Sequence, residues 1–453
     1  PFGKYEGASF ALMCILCQNQ MQEMGLRILN RYKNVGFTVD QKDERGSTLL
    51  HIAAFCQCDR LACAIFDELY KSGKLERVLS SEISQRNETV YFLGIRGKCF
   101  ELTKKIISFS LEKSIPLQGR NNLGESPFCL ACRIIDERII LALLESHDRS
   151  NTFSEIKDEH LFNSIDLLLK ERKYSLVSEI LKRFDMSFIN YLEEQKKFLF
   201  HHVVSFGTRE HAVILLEKGY LITSLDLLKN SILSASCIND SEDVLDLICS
   251  TMLKHDIFFD HENEKGQSAL DRACHDGRVN YVKKIIELYS CKGENFLKKR
   301  LCHKGTNSYT AIGLAVFHNY PELFSYLLEI YDKYNLISQI HETLTLCVLG
   351  NSEELFNAVL ALFLERGYPL GKIQKVFPDS PLVYALHHKN WGIASTLLTC
   401  QSVIEEFSHT KKLKNCLHYL AEVAPSGLLK CVIDIYISYG YSIDTVNIHG
   451  ATP

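Results

Sequence analysis

The stretch Asp43-Glu44-Arg45-Gly46-Ser47-Thr48-Leu49-Leu50-His51-Ile52-Ala53-Ala54 decides how the rest of the chain is read, because its punctuation returns three more times. The copies are Asn121-Asn122-Leu123-Gly124-Glu125-Ser126-Pro127-Phe128, Asn263-Glu264-Lys265-Gly266-Gln267-Ser268-Ala269-Leu270 and Asn447-Ile448-His449-Gly450-Ala451-Thr452-Pro453. Each runs Asp or Asn, two residues, Gly, one residue, Ser or Thr. Asp or Asn followed by Gly makes a tight turn with a positive-φ position, and the hydroxyl residue two places on is a good helix N-cap. Pro127 falls in the first helical turn, where its missing donor is not needed. The small Ala53, Ala131 and Ala273 let adjacent helices approach closely.

With Leu50 as anchor, the equivalent apolar position recurs at Tyr91, Phe128, Ile165, Phe200, Leu233, Leu270, Ile312, Leu344, Leu382 and Leu417, ten intervals over 367 residues. A second apolar pair follows at Leu61/Ile65, Leu102/Ile106, Ile139/Leu143, Tyr281/Ile285, Leu323/Leu327 and Ile393/Leu397. A spacing of four is one face of a helix. The pattern resembles the ankyrin repeat, whose consensus runs D-x-x-G-x-T-P-L-H-x-A-A; Thr48, Leu50, His51, Ala53 and Ala54 reproduce most of it.

The resemblance implies an all-α solenoid of about eleven to twelve helix-turn-helix repeats with short hairpin turns, curved, with one continuous core. Residues 1–42 read as a partial or divergent repeat, 43–446 as the array, and 447–453 as the start of a further, truncated repeat. The turn signature is eroded in the segments anchored at Ile165, Leu233 and Leu344. The mean interval exceeds the roughly 33 residues of a typical unit. The surplus is expected between the second helix and the next turn, as in 71–85 and 288–306, or in a longer second helix. A break or kink near the middle is compatible with the eroded turns. Pro1 in place of an initiator Met, and the unit opened at Asn447 and left unfinished, lead us to expect a longer natural chain. Its next repeat would cover Leu417, Leu420, Val432 and Ile433.

Of the 453 residues, 46% are hydrophobic and 23% charged, the balance of a folded chain rather than a disordered one. A net charge of −4 supplies no positive field to hold a phosphate backbone, so nucleic acid is a poor default partner. No apolar run reaches the roughly 18 residues of a membrane span, which implies no membrane insertion. The seventeen cysteines, several at small-residue helix positions, suggest a reducing, cytoplasmic setting.

Cys14/Cys17 and Cys129/Cys132 have the spacing of half a zinc site, but neither pair has an evident mate, so we expect no metal and no cofactor. His201/His202, His387/His388 and Cys302/His303 invite a catalytic reading. His201 falls on the consensus His of the repeat, which buttresses turns in that family. With no phosphate loop, nucleophile elbow or metalloprotease motif, no enzyme is expected. Carried over from the family, the surface that binds another protein would comprise hairpin residues Glu44, Arg45, Ser47, Glu264, Lys265, Gln267 and Tyr309. It would also include first-helix residues Phe55, Arg133, Phe206, His275, Phe317, His387 and His388. Packing between repeats is an equally good account of Phe55, Phe206 and Phe317 taken singly. The leading expectation is a protein-binding scaffold. The alternatives are the targeting arm of a multidomain enzyme or of a secreted bacterial effector acting in a host cytosol, and the cytoplasmic domain of a channel or receptor.

Overall fold

The computed structural model describes residues 3–32, 38–81, 88–113, 115, 119–150, 159–195, 197–258, 260–305, 309–336, 340, 342–366, 381–400, 420–421, 424–438, 440 and 443. Among the described residues lie 26 helices and no strands. Two isolated antiparallel bridges, Lys42 with Thr48 and Leu225 with Ser231, close turns. The chain divides into two compact units, Pro1–Leu221 and Ile222–Pro453.

In the first unit the helices pair as α1 (Gly3–Gln18) with α2 (Gln22–Tyr32), α3 (Leu49–Phe55) with α4 (Asp59–Lys71), and, after a short α5 (Leu75–Leu79), α6 (Val90–Arg96) with α7 (Phe100–Lys113). Then come α8 (Pro127–Ile134) with α9 (Glu137–Ser150), α10 (Glu159–Lys170) with α11 (Tyr174–Lys182), a short α12 (Met186–Glu194), and α13 (Leu199–Phe206) with α14 (Arg209–Glu217). First helices pack in the row α1, α3, α6, α8, α10, α13, and second helices in the row α2, α4, α7, α9, α11, α14.

The second unit repeats the scheme. Its pairs are α15 (Ile232–Ser236) with α16 (Glu242–Lys254), α17 (Ala269–His275) with α18 (Val279–Cys291), and, after α19 (Glu294–Leu301), α20 (Ala311–Phe317) with α21 (Pro321–Lys333). They continue as α22 (Thr343–Leu349) with α23 (Glu353–Glu365) and α24 (Pro381–His387) with α25 (Trp391–Leu397); α26 (Ser426–Ser438) follows. First helices again form one row, α15, α17, α20, α22, α24, and α16, α18 and α21 another.

The ten anchors from Leu50 to Leu382 all sit on first helices and are buried, as are the second-helix pairs; Leu417 lies outside the described residues. Each fully buried aliphatic or aromatic anchor contributes up to about 1.5–3 kcal/mol. Within the surplus expected in 71–85 and 288–306, Leu75–Leu79 and Glu294–Leu301 form additional short helices, α5 and α19.

The quoted turns share one geometry. Asp43 Oδ1 accepts the backbone N–H of Arg45 (2.9 Å) and Ser47 (2.7 Å), and Gly46 stands at φ 83°. Asn121 Oδ1 accepts from Leu123 and Glu125, both at 3.0 Å, with Gly124 at φ 76°. Asn263 Oδ1 accepts from Lys265 (2.9 Å) and Gln267 (3.0 Å), with Gly266 at φ 71°. The copy at 447–453 lies outside the described residues.

A further copy appears where the sequence looked eroded. Asp226 Oδ1 accepts from Leu228 (2.9 Å) and Asn230 (2.8 Å), Ser231 caps α15, and the left-handed position is held by Lys229 at φ 60°. This turn stacks on the next: Glu264 N–H donates to the Leu228 carbonyl (2.9 Å) and Asn263 Nδ2 to Asn230 Oδ1 (3.0 Å).

The short link between the helices of a pair repeats just as regularly. Gln20, Gln57, Lys98, Ile135 and Arg172 in the first unit, and Gly277, Asn319, Asn351 and Lys389 in the second, are left-handed residues with φ from 53° to 68°. The residue after most of them closes a six-to-one bond, as Cys58 N–H to Ala53 O (3.0 Å) and Tyr320 N–H to Ala315 O (2.8 Å). This is a Schellman ending, which satisfies carbonyls the first helix would leave open. Gln20 also sets the register of α1 and α2.

Candidate functional site

Several residues with a chemical look serve the scaffold. His51 Nδ1 accepts from Thr48 N–H (3.3 Å) and Thr48 Oγ1 (2.8 Å), while Nε2 reaches the Ser81 carbonyl (3.2 Å) in the segment leading to the next pair. Burial pushes this imidazole down to about 4. The same Thr-x-x-His cap recurs at α14, where His211 Nδ1 accepts from Thr208 N–H (3.0 Å) and Nε2 meets the Tyr174 carbonyl (2.9 Å). His201, expected as a buttress, is buried with its ring edge-on to Phe198 at 5.8 Å.

In the second unit the bridge uses charge. Asp271 takes the helix position of His51 and accepts from Ser268 N–H (2.8 Å), and His303 from the following segment meets its Oδ2 at 3.1 Å. The hydrogen bond to Asp271 holds the His303 imidazole above its ordinary range against the effect of burial. Behind it the fully buried Asp260 carboxyl accepts from Tyr289 Oη (2.6 Å) and lies 3.3 Å from Arg300 Nε; burial raises its pKa despite Arg300. Of the Cys302/His303 dipeptide, His303 thus bonds across helix pairs to Asp271.

Several cysteines pack in the interior. Cys58 and Cys99 donate to carbonyls of the preceding first helix, at Cys17 O (3.5 Å) and Ala54 O (3.4 Å). Cys17, Cys129 and Cys132 are buried, and burial raises the Cys17 and Cys132 thiols. Among the described residues no group of three or more His, Cys, Asp or Glu side chains could hold a metal ion, and no helix is long and apolar enough to cross a membrane.

The surface residues fall into two sets. On the hairpin tips Glu44, Arg45, Glu264 and Lys265 are exposed and Gln267 is half-buried. Ser47 is corrected: at 7% exposure, with its N–H on Asp43, it belongs to the turn's interior and offers no binding surface. The tips hold three leucines that the consensus did not flag, Leu123, Leu227 and Leu228, exposed by 66%, 58% and 55%. They occupy the two tip positions between the Asp/Asn and the left-handed residue, where turn geometry makes no demand on the side chain.

At the ends of first helices, Phe55 and Phe206 are 56% and 40% exposed, so packing between pairs does not account for them. Phe206 lies 6.1 Å from His202, which stands edge-on to Phe162 at 4.9 Å. Arg133 is exposed but tied across its own hairpin to Glu125, Nε to Oε1 at 2.8 Å and Nη2 to Oε2 at 3.0 Å. Burial pushes the Glu125 carboxyl up, and Arg133 and Asn121 more than reverse it. Arg96 and Glu88 make the same clamp one pair earlier.

In the second unit the structure gathers His275, Tyr309 and Phe317 into one ridge, with His318 and Tyr320 added. His275 meets His318 at 4.5 Å between ring centroids, Phe317 meets His318 at 5.0 Å and Tyr309 at 5.2 Å, and Tyr320 stacks on His318 at 6.0 Å. His275 Nδ1 pairs with Asp276 at 2.8 Å; burial raises that carboxyl, and His275 with Arg272 brings it below its usual range. Burial and the neighbouring His275 lower His318. His387 and His388 are exposed at the end of α24, with His388 stacked on Tyr384 at 6.3 Å. Exposed apolar tips and aromatic–imidazole ridges can bind a macromolecular surface. No family model matches the sequence, and no curated protein matches it.

Proposed function

We propose that the chain is a protein-binding scaffold, an ankyrin-type solenoid that engages another protein through its hairpin tips and the exposed ends of its first helices. The reading rests on Leu123, Leu227 and Leu228, more than half exposed at the tips of hydrogen-bonded turns. Burying a leucine stabilises by about 1.5–3 kcal/mol, and these positions forgo that within their own unit while a partner would recover it. Phe55, Phe206, His275 and Phe317 supply the aromatic anchors that interfaces favour. In this reading the residues act by binding and not by catalysis, in a cytoplasmic setting, and the net charge of −4 disfavours nucleic acid.

The test is affinity capture from cell extract with three forms of the chain: unaltered, Leu227→Asp/Leu228→Asp, and Leu141→Asp on the second helix α9. The tip leucines are mostly exposed, so the double variant should melt like the parent. A polypeptide held by the parent and by Leu141→Asp but lost from the tip variant supports the proposal. Equal retention by all three, or retention of nothing, contradicts it.

A further inference from the structure

Neighbouring helix pairs are joined by a side-chain bond of fixed register. In three joints the residue after the left-handed link residue donates to the carbonyl three places before the left-handed residue of the preceding pair. These are Cys58 to Cys17 O (3.5 Å), Cys99 to Ala54 O (3.4 Å) and Asn390 Nδ2 to Val348 O (2.7 Å). Opposite Cys99 stands Ala54, and opposite Asn390 stands Val348, so neither pair of side chains can react. Opposite Cys58 stands a second thiol, Cys17.

Cys17 and Cys58 also hydrogen-bond thiol to thiol, Cys17 donating, where α1 meets the link between α3 and α4. Both are 0% exposed. Half-buried Cys14, three residues ahead of Cys17, and half-buried Cys56, two residues ahead of Cys58, flank them. Among the described residues no three such groups converge as metal ligands must, but a disulfide needs only two.

Burial raises the Cys17 and Cys58 thiols and the neighbouring thiols add to it, while the bond from Cys17 works the other way on Cys58. Cys58 is therefore the better nucleophile of the two. Thiols of raised pKa attack slowly and leave poorly, so a bond between them forms slowly and, once made, resists exchange.

We propose that Cys17 and Cys58 are a redox modification site, at which a hydroperoxide forms an intramolecular disulfide that fixes α1 to the α3–α4 link. The oxidant enters at the half-buried edge marked by Cys14 and Cys56. Cys58 Sγ attacks its outer oxygen, the O–O bond breaks, and water or an alcohol leaves with the thiol proton, so that Cys58 becomes a sulfenic acid. Cys17 Sγ then displaces that hydroxyl, which departs as water with the Cys17 proton, and the S–S bond closes. The two sulfurs lose two electrons and the hydroperoxide gains them. The bond ties residues 41 apart in sequence, so the joint opens less often.

The test treats residues 1–453 with hydrogen peroxide, blocks the remaining thiols and maps linked peptides by mass spectrometry without reductant. Exposed Cys291 reports that the oxidant suffices. The expected result is a link whose fragmentation places it on Cys17 and Cys58, at a yield independent of protein concentration and reversed by reductant. It persists in Cys14→Ser/Cys56→Ser and disappears in Cys58→Ser, and with it hydrogen exchange of the α1 amides slows about tenfold or more. Three results overturn the proposal: no such link once Cys291 is fully oxidised, a link that forms only in urea, or a link lost in Cys14→Ser/Cys56→Ser, which would assign the bond to the half-buried thiols.

Discussion

Replacing Lys229 by Gly should stabilise the second unit locally. Lys229 holds the left-handed position of the Asp226 turn at φ 60°, where its counterparts are Gly46, Gly124 and Gly266. A side-chain-bearing residue pays about 1–2 kcal/mol in that region, while glycine gives back roughly 0.5–1 kcal/mol through its freer unfolded chain. The net gain is about 0.5–1 kcal/mol, a two- to fivefold change in an equilibrium constant by the same arithmetic that makes 1.4 kcal/mol tenfold. The converse is Gly46→Ala: Gly46 stands at φ 83° with nothing within 4 Å of a built Cβ, so any cost is conformational and about 1 kcal/mol. Hydrogen exchange of Leu228, Asn230 and Ser234, whose amides the turn and cap hold, reads the local free energy. Exchange should slow about two- to fivefold in Lys229→Gly. Unchanged or faster exchange would refute the claim that Lys229 occupies a glycine site of the repeat.

Two histidines should move stability in opposite directions with pH. The folded pKa of His51 lies below its unfolded value near 6.5, so its contribution is present above pH 6.5 and is lost as pH falls toward about 4, a change of about 3 kcal/mol at 1.4 kcal/mol per unit. His51→Gln should flatten that slope in urea titrations between pH 7.5 and 4.5, and an unaltered slope would contradict the assignment. The folded pKa of His303 is raised by Asp271, so its contribution is complete below pH 6.5 and is lost as pH rises through the folded value. His303→Gln should therefore destabilise more at pH 5.5 than at pH 8.5, and the reverse order would rule the Asp271 pairing out. Leu61→Ala removes a fully buried side chain seated on Gly25 and should cost about 2–5 kcal/mol in urea unfolding; a loss under about 1 kcal/mol would show that α2 and α4 pack less closely than described.

The helix pairs were legible because burial leaves a periodic trace, and the anchors from Leu50 to Leu382 lie on first helices as their spacing required. The turns were legible only where glycine marked the left-handed residue. At Asp226 the carboxylate and the N-cap Ser231 impose the turn on Lys229, so Asp and Ser five residues apart were the usable signal. The Schellman links left almost no trace: of nine left-handed residues only Gly277 is glycine, and the rest, Ile135 included, are held by the backbone bonds around them. The buried network of Asp260, Asp271 and His303 was illegible because its partners come from different helix pairs. Of the candidate surface, His275, Tyr309 and Phe317 fall on consensus positions, whereas the tip leucines leave no signal because the consensus assigns no residue type there.

In the proposed function a protein partner is met at the hairpin tips and first-helix ends and not along the second helices. A photo-crosslinking amino acid placed singly at Leu228, His275, Leu253 and Leu364 decides it within one unit, since all four sites are exposed and the last two lie on second helices α16 and α23. A crosslinked adduct to one and the same polypeptide is expected from positions 228 and 275 and none from 253 and 364. Adducts from 253 and 364 with none from 228 and 275 would contradict it.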